Sequence, residues 1–173
     1  MYELCKREGR GLNCRFLAQV LNEMYLAMGF PSRFVTCQSK AYDTDTDCHV
    51  INMVWSRQLG KWIWMDASFA AYVTDENGLL LHPGEVRERL IKGLPLVLNE
   101  DANWNHKTKQ TKEGYLENYM AKNLYMLDAH LESRFETEPA DGSGSRQIYL
   151  VPEGFWPLSE YATYDDRYFW QAP

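Results

Sequence analysis

Apolar residues Phe16, Leu17, Val20, Leu21, Met24 and Met28 recur with the period of a helix, and two short apolar runs, 50–55 and 62–65, follow downstream. The two runs are rich in β-branched and aromatic types and are separated by Ser56-Arg-Gln-Leu-Gly-Lys61, which has turn composition. One amphipathic helix followed by a hairpin predicts an α+β fold, the helix packed on a small antiparallel β-sheet with additional helices toward the C-terminus.

The helix is predicted over 14–28, with Gly29 past its end and Pro31 beyond it. Asn13 is a good N-cap residue, so Cys14 falls in the first turn, where unpaired N–H groups and the helix dipole favour an anion. A thiolate is the attacking form of cysteine, and a helix N-terminus or a cationic neighbour such as Arg15 lowers the thiol pKa. Taken alone, Cys14 has an ordinary reading as a small half-apolar packing residue.

Two later residues change that reading. His49 opens the first strand and Asp66 follows the second. If the hairpin folds symmetrically about Arg57 and Gln58, His49 stands directly opposite Asp66, with Cβ atoms about 5 Å apart on one face. A carboxylate there accepts a hydrogen bond from one imidazole nitrogen, sets the tautomer and leaves the other nitrogen for a thiol. The plainer alternatives are a satisfied core histidine and a strand-end carboxylate that caps a turn.

With Cys14 opening a helix closed by Gly29-Phe-Pro-Ser-Arg33-Phe-Val, His49 at a strand start and Trp62-Ile-Trp-Met-Asp66 after it, the stretch from about 9 to 70 resembles the core of the transglutaminase-like superfamily of papain-type thiol enzymes. The resemblance implies that Cys14 is the nucleophile, His49 the general base and acid, and Asp66 its orienter. It departs at Val50-Ile51, where the family often has Ala-Trp, at Ala67-Ser68, where it often has Pro-Thr, and at Arg15, where the animal cross-linking enzymes usually carry Trp. These departures bear on protein cross-linking rather than on the three residues. In papain-like thiol enzymes the second oxyanion donor comes from upstream of the cysteine, and Cys14 stands close to the start of the sequence. The resemblance therefore also raises the expectation that the chain is a fragment of something longer.

Other local patterns are weaker. Asp43-Thr-Asp45-Thr-Asp47 imitates the start of a calcium loop, but Cys48 stands where Gly is needed and Val54 where Glu is needed. A zinc site on Cys37, Cys48 and His49 lacks the usual ligand spacing, and adjacent strand residues point to opposite faces. No metal or other cofactor is expected. Cys37 and Cys48 are the plausible disulfide pair in an oxidising compartment. His82 precedes Pro83 at a predicted helix start over 83–92, His106 lies in the polar stretch 103–112, and His130 is predicted late in a helix.

The 173 residues are 45% apolar and 14% aromatic, enough for one globular domain over 1–173 without a metal or disulfide framework. With 18 basic against 24 acidic residues the net charge is −6, which argues against a nucleic acid or an anionic membrane as the main partner. No stretch is long and apolar enough for a transmembrane segment. The opening residues are no signal peptide, which suits a cytoplasmic protein as well as an exported one whose signal was removed.

A strand is predicted over 33–38, an exposed acidic loop over 40–47, and a further strand with a turn at Asn77-Gly78 over 72–81. Leu116, Tyr119, Met120, Leu124 and Leu127 predict an amphipathic helix over 111–132 that covers one sheet face. A flexible loop is predicted over 138–145 and a strand over 146–151. The aromatic tail, Phe155-Trp-Pro, Tyr161, Tyr164 and Tyr168-Phe-Trp170, is read as docking on the core, with a stacking platform for a sugar or peptide as the sharper alternative.

Together these features predict thiol-dependent acyl transfer on a protein, peptide or other amide-containing substrate. The Cys14 thiolate would attack the carbonyl, His49 would protonate the leaving group and then activate water or an amine, and the Cys14 N–H would serve the oxyanion. The contrasting expectation is a catalytically silent domain of the same fold that binds peptide or carbohydrate.

Overall fold

A computed structural model describes residues 2–9, 11–131, 147–155 and 161–173. Helix α1 (Tyr2–Glu8) leads into α2 (Cys14–Ala27). Asn13 caps α2: its backbone is extended and its side-chain oxygen accepts from the Phe16 N–H at 3.0 Å. Cys14 is thereby the first helical residue. The helix meets the sheet through the buried Ala18 and Asn22, whereas Phe16, Met24 and Met28 of the apolar stripe are exposed. The small Ala18 lets the two backbones approach closely enough for Asn52 Nδ2 to donate to the Ala18 carbonyl at 2.7 Å.

The remaining elements are β1 (Ser32–Gln38), β2 (Cys48–Ser56), β3 (Lys61–Met65), β4 (Val73–Thr74), α3 (Pro83–Lys92), β5 (Val97–Leu98), β6 (Asn103–Trp104), β7 (Thr108–Lys109), a π-helix (Glu113–Met120) running into α4 (Ala121–Asn123), β8 (Met126–His130), β9 (Gln147–Leu150), β10 (Ala162–Thr163) and α5 (Asp166–Phe169). The architecture is mixed α/β. Six strands form the main sheet in the order β10-β9-β8-β1-β2-β3, antiparallel throughout except for β10 on β9. Alternation sends Val35 and Cys37, Ile51 and Met53, Trp62 and Trp64, Leu127 and Ala129 into one core on the same face, where Val86 of α3 and Tyr115, Leu116 and Met120 of the π-helix join them.

The β2–β3 hairpin closes through Arg57–Gly60 rather than about Arg57 and Gln58. Ser56 pairs with Lys61, Trp55 with Trp62 and Asn52 with Met65, a displacement of two residues along β3 from the symmetric register. Gly60, at φ +63°, makes the wider turn feasible, and the Ser56 hydroxyl accepts from the Leu59 N–H at 3.1 Å. A two-residue slip preserves which face each side chain occupies, where a one-residue slip would reverse it. His49 therefore looks toward Asp66 along a diagonal instead of straight across.

The helix predicted over 111–132 ends at Asn123, and its second half is the strand β8. Residues Thr36, Cys37 and Gln38 of β1 pair with β2 on one side and with Asp128, Leu127 and Met126 on the other, so β8 satisfies an edge that would otherwise stand open. Leu124 and Leu127 fit helical spacing over so short a span, and tertiary pairing overrides it. His130 accordingly lies on a strand, edge-on to Phe34, and not at a helix C-terminus.

The disulfide expectation is also corrected. Cys37 stands opposite His49, and Cys48 opposite Gln38. The two thiols sit at neighbouring, not paired, positions and face opposite sides of the sheet, Cys37 buried and Cys48 exposed, both free.

Helix α3 begins at Pro83 behind an N-cap of His82, whose Nδ1 accepts from the Gly84 and Glu85 N–H groups, and it ends at the left-handed Gly93. At the C-terminal end Phe169 and Trp170 are buried, whereas Tyr161, Tyr164 and Tyr168 are exposed. Arg33 holds this segment: Nη2 donates to the Phe169 carbonyl at 2.6 Å, and the guanidinium lies 4.8 Å from the Trp62 ring centroid and 5.5 Å from that of Trp170. The loop 138–145 and Trp156-Pro157 lie outside the described residues.

Candidate active site

Three elements converge where α2 begins. Cys14, half-buried, occupies the first position of α2, where its N–H has no intrahelical carbonyl to bond. Burial pushes the thiol pKa up, but the hydrogen bond and charge of His49, together with the backbone N–H groups of Val50 and Arg15, outweigh it and leave the thiol below its ordinary value.

His49 is almost fully buried at the start of β2, and its Nε2 lies 2.6 Å from Asp66 Oδ2. That bond occupies Nε2, so Nδ1 is the nitrogen left for the Cys14 sulfur. Burial by itself would lower the imidazole pKa; the charge and hydrogen bond of Asp66, followed by those of Cys14, reverse this and raise it to about 9. The arrangement favours a thiolate beside an imidazolium. Phe69 and Tyr119 pack edge-on against the imidazole at centroid distances of 5.3 and 5.5 Å, fixing its plane and keeping water from it.

Asp66 makes both of the contacts that its sequence position suggested, one with each oxygen. The chain folds back immediately after β3: Asp66 and Ala71 exchange backbone hydrogen bonds of 2.8 and 3.0 Å across a turn in which Ala70 takes φ +46°. Oδ1 caps that turn by accepting from the Ser68 and Phe69 N–H groups at 2.9 and 3.1 Å. Oδ2 remains for His49, and it also accepts from the Tyr115 hydroxyl at 2.6 Å.

No sequence signal pointed to Tyr115. It rides on the π-helix with Tyr119, four residues on, and the pair reaches the carboxylate and the imidazole respectively; π-helical turns are rare and concentrate at functional sites. Trp104 was also missed. From the β6–β7 hairpin, which turns through left-handed Asn105 and His106, it lies 4.6 Å from the Phe69 ring and is partly exposed. These contacts join segments far apart in the chain, and no local spacing announces them.

Arg15 reaches Cys14 through its backbone, while its guanidinium points to Thr36 Oγ1 at 3.4 Å. In the acidic loop Asp45 and Asp47 bind Lys122 at 3.0 and 2.8 Å. Among the described residues no cluster of three His, Cys, Asp or Glu side chains is placed to hold a metal ion, and no helix is long and apolar enough to cross a membrane.

Comparison with curated proteins and with solved structures finds no match. A family model does: as the sequence resemblance led us to expect, residues 2–67, the stretch that carries Cys14, His49 and Asp66, match the transglutaminase-like superfamily.

Proposed function

We propose that this chain is a papain-type thiol enzyme that transfers acyl groups from amide substrates, with Cys14 as nucleophile, His49 as general acid and base, and Asp66 as the residue that orients the imidazole. The observation that carries the reading is the 2.6 Å bond between His49 Nε2 and Asp66 Oδ2, made by a histidine whose other nitrogen serves a thiol of lowered pKa. The thiolate attacks the carbonyl carbon; the negative charge that develops on its oxygen lies beside the Cys14 N–H at the helix start. The imidazolium gives its Nδ1 proton to the departing amine, leaving a thioester on Cys14. His49, now neutral, removes a proton from water or a second amine, whose attack releases the acyl group and restores the thiolate. With water the outcome is an amidase or peptidase, with an amine a transglutaminase-like transfer.

The test is ammonia or amine release from a panel of peptide, glutamine and peptidoglycan-like amides, measured with the intact chain and with Cys14→Ala. Release from at least one class by the intact chain, absent in Cys14→Ala, is expected. Identical background from both proteins across the panel would contradict the proposal.

A further inference from the structure

We propose that Tyr115 is a positioning residue of this site, whose hydroxyl fills the last acceptor position of the buried Asp66 carboxylate and holds it aligned on His49. This rests on the acyl-transfer reading given above.

A carboxylate offers about four acceptor positions, and burying the charge is costly unless they are filled. The Asp66 side chain is fully buried, and all four are filled: Oδ1 by the Ser68 and Phe69 N–H groups, Oδ2 by His49 and by Tyr115. Two donors belong to the turn itself and the third is the base being oriented. Beside the base itself, Tyr115 is the donor brought in from another element. Its phenol cannot readily ionise, because burial first and the charge of Asp66 second hold its pKa well above the ordinary value, so the hydroxyl remains a donor.

Trp64 sets the direction of that donor. Its indole N–H gives a hydrogen bond to the Tyr115 oxygen at 3.2 Å, which takes up the acceptor side of the hydroxyl and leaves its proton for Asp66. Trp64, Tyr115, Asp66 and His49 thus form one buried relay from β3 through the π-helix to β2. The other titratable groups facing it are Cys37 of β1, Cys14 of α2 and Tyr119 of the π-helix. The hydrogen bonds of the Asp66 side chain run to His49, Tyr115, Ser68 and Phe69 instead. Without the Tyr115 donor one acceptor position of the buried carboxylate is left unfilled and its hold on the imidazolium loosens, so the Cys14 thiolate that the imidazolium sustains is less favoured and the acid limb of its reactivity moves up.

The experiment follows the rate of Cys14 alkylation by iodoacetamide against pH in the whole chain. Tyr115→Phe, which removes only the hydroxyl, is expected to move the acid limb up by about one unit, roughly a tenfold loss of rate at its foot, with less than about twofold change near pH 8. Placing 3,5-difluorotyrosine at 115 strengthens the donor at nearly constant shape and is expected to move the limb the other way. In an Asp66→Asn background the Tyr115→Phe step is expected to shift nothing. Profiles of both Tyr115 variants that superimpose on the unmodified one would overturn the inference, and the fluorinated chain decides alone if the Phe variant does not fold. If Cys14 of the unmodified chain alkylates no faster than Cys5, the acyl-transfer reading fails and takes this inference with it, a result distinct from superimposed profiles.

Discussion

Replacing Asp66 by alanine is expected to lower the free energy of unfolding by about 3–5 kcal/mol, among the largest effects of any single change in this chain. The size follows from what the carboxylate serves. Its removal leaves a buried imidazole and a buried phenol without their common acceptor, and frees the two N–H groups that pin the turn after β3. Asparagine separates structure from chemistry. Its carbonyl can still cap the Ser68 and Phe69 N–H groups, so its stability cost should be well below that of alanine. Its amide group, however, then points a donor at His49 Nε2, which favours the tautomer with the proton on Nδ1, facing the sulfur. A histidine in that tautomer cannot accept the thiol proton, and turnover should fall about 10³- to 10⁴-fold. Urea unfolding together with amide turnover checks both variants; an Asp66→Asn protein that is as active as the unmodified chain would contradict the role given to this residue.

Replacing His49 by alanine is expected to lower the rate of Cys14 alkylation at pH 6 by about 30- to 100-fold. An unassisted thiol with pKa about 8.5 is only a fraction of a per cent thiolate at that pH, and the greater intrinsic nucleophilicity of a more basic thiolate recovers part of the difference. In the unmodified chain the alkaline side is governed by the imidazolium. His49 is charged below about 9 and loses its proton as pH rises through that value, so proton donation to the leaving group, and turnover with it, should decline above about 9 while alkylation does not. The comparison of turnover and alkylation profiles in unmodified and His49→Ala chains measures this; turnover that keeps rising past pH 9 would count against His49 as the proton donor.

How much of this was legible in the sequence depends on how local each cause is. Asn13 capping a helix that starts at Cys14, and His82 capping one that starts at Pro83, are decided by side chains within a few residues of the turns they satisfy, and both elements lie where the spacing predicted. The hairpin strands were legible, but their register was not, because it hangs on the conformation of Arg57–Gly60 and on packing across to α2. The face of His49 survived that error only because the displacement was even. Residues 126–130 show the opposite case: their composition suits a helix, and the unpaired edge of β1 draws them into the sheet. Tyr115, Tyr119 and Trp104 were beyond reach for a related reason, since each acquires its place at the site through partners dozens of positions away.

The most direct measurement is mass-spectrometric mapping of iodoacetamide at pH 6 over the four cysteines. Cys48 is the demanding control: it is exposed, yet burial of its sulfur and the nearby Cys14 push its pKa up, so access alone should not make it reactive. Cys37 is buried and held well above its ordinary value. Modification of Cys14 at least about tenfold faster than any other thiol is the predicted result. Equal rates at all four, or Cys48 reacting first, would contradict an imidazole-activated nucleophile at the start of α2.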